Sequence, residues 1–95
     1  MSEDEQAKVG KTPGVAGFIS SKKPPMDLFT VAPGIPCGYA LEQASIVLKC
    51  AHKLILSGVL EEDGDCLWAA YYLSGFAKAL IDDVELGRQR PTLMP

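Results

Sequence analysis

The sequence predicts an all-α fold, an antiparallel two-helix hairpin with a short extended N-terminal segment, doubled as a homodimer into a four-helix bundle. Two long stretches carry apolar residues at helical spacing, and one acidic turn separates them. The second stretch is apolar around more of its circumference than one neighbouring helix can cover. With 95 residues the chain has room for one small domain. We predict a disordered or weakly ordered tail at residues 1–25, a helical hairpin domain at 26–88 and a C-terminal tail at 89–95.

The segment before the hairpin shows little periodicity. Residues 15–19 form the one short apolar cluster of the predicted tail, and the run SSKKPP at residues 20–25 follows it. Residues 27–31 are β-prone, so we expect an extended lead-in across the hairpin or a brief strand that pairs with its own copy in a dimer. Pro33 and Gly34 predict a turn.

The first helix is predicted at about residues 36–57. Pro36 suits a first helical turn, where its missing N–H costs nothing. Apolar residues follow at spacings of three and four, namely Leu41, Ala44, Leu48, Ala51 and Ile55. Gly58 is a natural left-handed residue to end the helix.

The second helix is predicted at about residues 66–86, after the acidic turn at 61–65. Asp63 or Asp65 can cap its first turn, where the helix dipole favours a carboxylate. One apolar stripe faces the first helix and comprises Ala69, Leu73, Phe76, Leu80 and Val84. Gly87 is expected to end the helix.

A further stripe on the second helix predicts a partner. It lies on a side distinct from the polar face and comprises Trp68, Tyr72, Gly75, Ala79 and Leu86. Gly75 and Ala79, four residues apart, would allow another helix to approach closely. We predict that this stripe forms the homodimer interface, and that Tyr71, on the wetter face, is available to an unidentified protein partner.

Motifs for catalysis, cofactors and metals are incomplete. The tripeptide from Gly10 to Thr12 ends like a phosphate-binding loop, but the glycine required five residues earlier is Glu5. Cys50 and His52 would point about 200° apart on a helix and so could not chelate one ion. We therefore predict a non-enzyme with no catalytic, cofactor-binding or metal-binding residue.

Charge and cysteine content predict a cytoplasmic protein. A net charge of −3 and a pI near 5.0 argue against a general nucleic-acid binder. The three cysteines cannot close a set of intrachain disulfides, and the first residues lack the basic and then apolar pattern of a signal peptide. Charged residues interrupt the apolar stretches, so we expect no membrane contact.

The predicted function is a small homodimeric protein-interaction or regulatory module. One alternative is a DNA-binding regulator of the ribbon-helix-helix type, because a short strand precedes two helices and Lys22 and Lys23 lie nearby. Residues 27–31 offer no basic face to DNA, which weighs against it. A second alternative is a small-ligand-binding helical protein with a pocket near Trp68 and Tyr72.

Two blocks of sequence resemble a family of small uncharacterised bacterial proteins, found mainly in pseudomonads, that constitutes a domain of unknown function. The first block is FTVAPGIP at residues 29–36 with ALEQAS at 40–45, and the second is WAAYYLS at 68–74 with AKALIDD at 77–83. The resemblance covers about residues 28–87. It implies a bacterial origin and a recurring helical domain, and it transfers no activity and no catalytic residue.

Overall fold

The computed structural model describes residues 10–89, which form a two-stranded β-ribbon followed by a helical hairpin. Strand β1 is Gly17–Lys22, strand β2 is Pro25–Thr30, helix α1 is Cys37–Glu61 and helix α2 is Gly64–Gln89. The two strands pair antiparallel, with Phe18 opposite Phe29 and Lys22 opposite Pro25. The molecule is 15 Å across its shortest axis. Because an α-helix with its side chains is about 10–12 Å wide, the hairpin is a single layer of helices.

The seam between the helices is built from small residues. The buried residues of α1 include Ala44, Ala51 and Gly58, and those of α2 include Ala70, Ala77 and Val84, in both cases at seven-residue intervals. This spacing keeps one narrow stripe of each helix turned toward its partner. At the open end of the hairpin the seam closes on a cluster of Cys37, Ala40 and Val84. Small side chains allow the helices to pack closely, but they bury little apolar area.

A buried carboxylate attaches the N-terminal segment to α2. Asp83 is fully buried, and its Oδ1 accepts the backbone N–H groups of Val15 at 2.7 Å and Ala16 at 2.6 Å. Its Oδ2 accepts the N–H of Gly14 at 2.8 Å. Hydrogen bonds to an ionised acceptor are stronger than neutral ones, so one side chain fixes three consecutive peptide groups.

Thr12 organises the turn that leads into α1. Its buried hydroxyl donates to the carbonyl of Ala32 at 2.7 Å and accepts the N–H of Ile35 at 2.9 Å. Gly87 of α2 lies against the same segment, where an added Cβ would come within 2.6 Å of the Lys11 carbonyl oxygen. Glycine at position 87 therefore allows the segment to approach the helix backbone.

The predicted hairpin of two helices is confirmed, but the chain is not purely all-α because residues 17–30 form the ribbon. The structure also differs from the predicted tail at residues 1–25. Residues 10–16 are held by Thr12 and Asp83, and residues 17–22 form β1 and pair with β2. Residues 1–9, and residues 90–95 of the predicted C-terminal tail, lie outside the described part of the chain.

Both helices extend past the glycines that were expected to end them. Helix α1 continues through Gly58 to Glu61 and ends at Glu62, whose φ of 53° is left-handed. An added Cβ at Gly58 would lie 2.7 Å from the Leu67 side chain, so this glycine serves packing rather than termination. Asp63 does cap α2, as predicted, since its Oδ1 accepts the N–H groups of Asp65 at 3.0 Å and Cys66 at 3.4 Å.

Candidate functional site

The broadest candidate surface is an uncovered apolar face of the helical hairpin, here called the open face. A groove between the helices is lined by residues of both helices, which places them on one side of the molecule: Ser45, Leu48, Lys49, Ala51, His52 and Ile55 of α1 and Ser74 of α2. Leu67 and Ile81 lie seven residues on either side of Ser74, so they share its side of the helix. The apolar side chains of this face are 40–60% exposed, namely Leu48, Ile55, Val59, Leu67 and Ile81.

The pattern of burial is the reverse of that in an ordinary monomer, because small apolar residues are buried and large ones are exposed. Six of the nine buried apolar residues among residues 10–89 are alanines, and the leucines, isoleucines and large aromatics of the helices are partly or mostly exposed. Leucine and isoleucine normally rank among the most buried residues of a folded protein. The seam therefore leaves much of the apolar surface of the hairpin without a cover in the described part of the chain.

The N-terminal segment and the ribbon pack on the opposite face. Asp83 holds the segment, and the ring of Phe76 lies 4.5 Å, centroid to centroid, from that of Phe18 in β1. Asp83 and Phe76 each lie two residues along α2 from the open-face residues Ile81 and Ser74. Two residues correspond to about 200° around a helix. The ribbon thus contacts α2 on a side about 200° around that helix from Ser74, and it leaves the open face free.

Three aromatic residues form a second exposed surface on α2, here called the aromatic corner. Trp68, Tyr71 and Tyr72 are 60%, 65% and 42% exposed. Their ring centroids are 5.6–5.9 Å apart in edge-to-face and tilted pairs. This geometry lies within the range of favourable aromatic pairs. Sequence reasoning had placed Tyr71 on the wetter side, whereas the structure brings all three rings together.

The predicted interface stripe on α2 contains both buried and exposed residues. Ala79 is 2% exposed, so it already packs against other residues of the chain. Gly75 has no atom within 4 Å of the position that a Cβ would take, apart from its own helix, so no close helix crossing occurs there within the described residues. Leu86 remains 38% exposed. Trp68 and Tyr72 therefore remain available to a partner, while Ala79 does not.

A cleft separates the ribbon from the aromatic corner. It has a volume of about 460 Å³ and is lined by Phe18, Ile19, Ser20, Tyr71, Tyr72, Ser74, Gly75 and Lys78. Lys78 at its edge forms an exposed ion pair of 2.7 Å with Asp82. Sequence reasoning located a pocket near Tyr72 but missed the ribbon wall, because β1 has no periodicity to reveal it.

The three cysteines lie in different environments. Cys37 is buried in the core, and burial raises the pKa of its thiol. Cys66 Sγ lies 3.4 Å from Asp63 Oδ2, and this hydrogen bond is the main cause of a raised pKa of the Cys66 thiol. Cys50 is exposed. Within residues 10–89, no three His, Cys, Asp or Glu side chains come together as a metal site would require.

The strand geometry differs from that of a ribbon-helix-helix dimer. In that arrangement each copy contributes one strand to a shared ribbon, whereas β2 here pairs with β1 of the same chain. Lys22 ends β1 and Lys23 lies in the turn that joins the strands, so their charges are at the ribbon tip. Asp27 lies opposite Ser20 in the ribbon, and its carboxylate accepts a hydrogen bond from Ser20.

Helix α1 is long and apolar enough, by length and composition, to cross a membrane. Core helices of soluble proteins meet the same criterion, but they are mostly buried. Only 17% of the apolar segment of α1 is buried within the described residues.

These features define the chain as a small helical-hairpin domain with a docked β-ribbon and large apolar surfaces. The chain belongs to a family described as a protein of unknown function (DUF3077), whose match spans residues 12–87. The match begins at Thr12, so it includes the docked segment and the ribbon as well as the helices. No curated protein and no solved structure is significantly similar to the chain.

Proposed function

We propose that this protein is a small homodimeric module that acts by binding protein, with an interaction or regulatory role and no catalytic activity. The supporting observation is that small residues fill the seam while leucine and isoleucine side chains remain exposed on one face of the hairpin and aromatic rings remain exposed on the adjoining edge of α2. Domains are built from at least two packed layers because each apolar face needs a cover. A second copy supplies the missing layer and turns two helices into four.

Sedimentation equilibrium tests the homodimer. We expect a mass of twice the 10.2 kDa chain at micromolar concentration. A single species of 10.2 kDa that remains folded through the same concentration range would remove the homodimer from the proposal.

The aromatic corner is the surface that we assign to a different protein. Tyrosine and tryptophan are enriched where binding energy concentrates, because rigid rings bury much area at a small cost in entropy. Three exposed rings in mutual contact form a patch of this kind. Trp68 is the only tryptophan, so its fluorescence emission reports on this surface alone. Binding of a partner should shift the emission to shorter wavelength, and Tyr71→Ala should weaken binding without changing the dimer mass.

We propose a cytoplasmic location without membrane insertion. Lys49 and Lys53 lie within α1 and are exposed, and Glu61 ends the helix. A lysine near the centre of a bilayer-spanning helix costs about 2.5–3.5 kcal/mol on insertion scales. Lys53 lies about 140° around α1 from Leu48, so a second copy that covers Leu48 leaves the Lys53 ammonium group in water. Flotation of the purified protein with liposomes would overturn this location.

Small-ligand binding in the cleft beside β1 is a second candidate function. The cleft is of a size typical for small molecules, and its wall contains Ile19 with a φ of 56°, a left-handed conformation rarely adopted by a β-branched residue. Such strain is found disproportionately at binding sites.

A thermal-shift screen of metabolites tests this candidate, because a ligand that binds only the folded state must raise Tm. Gly75→Leu is the matched variant, since it places a side chain at the cleft wall where Gly75 leaves open space. A true ligand should stabilise the natural protein and lose that effect in Gly75→Leu. Equal stabilisation of both would exclude the cleft as the site.

A further inference from the structure

We infer that the second copy packs on the open face, with α1 and α2 of one chain laid against α1 and α2 of the other, rather than on the Trp68–Leu86 stripe of α2. The inference rests on the proposed homodimer and specifies its interface. The arrangement leaves Trp68 and Tyr72 accessible in the dimer, while Ser74, which lines both the open-face groove and the cleft, lies at the interface.

Apolar residues repeat at seven-residue intervals along both helices. On α1 the open face carries Leu48 and Ile55, and on α2 it carries Leu67, Ser74 and Ile81, at intervals of seven in each case. A seven-residue repeat is the spacing at which helices pack side by side over several turns. The seam residues repeat with the same interval, so each helix has one stripe for its hairpin partner and a second stripe turned to the open face.

The open face is large enough to form a stable interface with a second copy. Helix α1 has 25 residues and is therefore about 37 Å long at 1.5 Å per residue. Two helices packed at 8–10 Å between axes are about 20 Å wide, so the face covers roughly 700 Å². A standard stable interface buries about 800 Å² on each partner, which this face nearly matches. One copy of the same hairpin has the dimensions to cover it from end to end.

The groove lies at the centre of the open face. Leu48 lies near the middle of α1 and Ser74 near the middle of α2, so the groove that they line is central to the face. A two-fold interface is self-complementary about its centre, where a residue of one copy meets the symmetric region of the other. Ser74 is small and leaves a depression between Leu48 and Ile55. A leucine side chain of the second copy fits such a depression as a knob fits a hole.

The chain's own N-terminal segment and ribbon already occupy the side of α2 that carries Phe76 and Asp83. The ribbon and the segment around Gly14 are fixed there by Asp83 and by the Phe18–Phe76 contact. A dimer formed through that face would have to displace three charge-assisted hydrogen bonds. A dimer formed through the open face displaces none of them.

The test compares charge substitutions on two faces of the same helix. Leu48→Glu places a carboxylate at the centre of the proposed interface. Ile46→Glu is the matched control because Ile46 is 51% exposed, similar to Leu48 at 41%, but lies two residues away and hence about 200° around α1. We expect Leu48→Glu to raise the dimer Kd at least 100-fold by sedimentation equilibrium, and Ile46→Glu to leave it within about threefold. Circular dichroism verifies that each variant retains its helices.

A measurement on the natural protein keeps the inference testable if Leu48→Glu fails to fold. Acrylamide quenching of Trp68 fluorescence is recorded across the concentration range in which the dimer forms. We expect at most a small change in the quenching constant, because Trp68 lies about 100° around α2 from Leu67 of the open face. A constant that falls severalfold on dimerisation would place the second copy on the aromatic side and overturn the inference.

The outcomes separate this inference from the proposed function. A natural dimer that survives Leu48→Glu but is broken by Trp68→Glu preserves the homodimer and removes the open-face interface. A natural protein that is monomeric at all concentrations removes both. Binding of a monomer to lipid vesicles through Leu48 would also overturn the inference, since the cover would then be lipid rather than a second copy.

Discussion

Replacement of the buried carboxylate should detach the N-terminal segment from the helices. Asp83→Ala removes the acceptor for three backbone N–H groups, which lie at 2.6–2.8 Å from its oxygens. A hydrogen bond to a charged group is worth about 1.5–3 kcal/mol, so three give an upper limit of roughly 9 kcal/mol. The segment can leave the helix and return its N–H groups to water, which lowers the measured loss. We expect the free energy of unfolding to fall by about 3 kcal/mol.

Two measurements check this prediction. Thermal unfolding followed by circular dichroism should show a Tm lower by about 12 °C or more, at about 4–8 °C per kcal/mol for a domain of this size. Amide hydrogen exchange should show loss of protection at Gly14, Val15 and Ala16 before any loss in the centre of the helices.

The neighbouring carboxylate provides the control. Asp82 forms an exposed pair with Lys78, and exposed pairs contribute about 0–1 kcal/mol. Asp82→Ala should therefore change Tm by only a few degrees. Equal losses from Asp82→Ala and Asp83→Ala, with unchanged exchange at residues 14–16, would refute the proposed role of Asp83.

Three further predictions concern the turn, the glycines of α2 and the thiols. Thr12→Val keeps the shape of the side chain but removes a buried hydroxyl with two hydrogen bonds. Urea unfolding should therefore show a free energy of unfolding lower by about 1–3 kcal/mol. An unchanged urea midpoint would contradict this role of Thr12. Gly75→Ala should raise the free energy of unfolding by up to about 1 kcal/mol, because the surroundings of Gly75 are open. Gly87→Ala should lower Tm, because the new methyl group meets the docked segment. Equal effects of the two substitutions would exclude the close approach at Gly87. Iodoacetamide at pH 8 should alkylate Cys50 first and Cys37 only on unfolding, as mass spectrometry can show. Because the pKa of the Cys37 thiol is raised in the folded state, its contribution to stability is full below about pH 9 and falls as the pH rises further; Cys37→Ala should flatten the loss of unfolding free energy above pH 9.

The helical hairpin could be predicted from sequence because apolar spacing and the acidic turn indicate the same architecture. Asp63 caps α2 as its position indicated. The helix ends were wrong because Gly58 and Gly87 resemble terminating residues. Both instead make room for a neighbour, the Leu67 side chain in one case and the Lys11 carbonyl in the other. A glycine's part in tertiary packing is not visible in local sequence.

The ribbon and its attachment could not be predicted from local pattern. Residues 20–25 have the composition of a linker, yet β1 and β2 pair across a turn that contains Lys23 and Pro24. One signal was available in retrospect. Asp83 follows Phe76 by seven residues, so it lies on the side of α2 that an amphipathic pattern assigns to the protein interior, and a buried carboxylate requires hydrogen-bond donors. Three backbone N–H groups from a segment almost 70 residues earlier provide them.

Part of the predicted interface on α2 is exposed, as the sequence indicated, and the dimer itself stays a prediction. Trp68 and Tyr72 are exposed, but Ala79 is covered by the chain's own residues. Helical spacing alone identified too many apolar sides on α2 and could not say which one the N-terminal segment covers. The structure distinguishes them, because Asp83 and Phe76 mark the covered side.

The dependence of Tm on protein concentration tests the central claim most directly, namely that the hairpin needs a second copy to complete its apolar packing. Unfolding of a dimer releases two chains, so mass action stabilises the folded state as concentration rises. We predict that Tm increases by several degrees between about 1 and 100 µM, and that Leu48→Glu abolishes the increase. A Tm that is constant over this range, with the helices intact at the lowest concentration, would contradict the account.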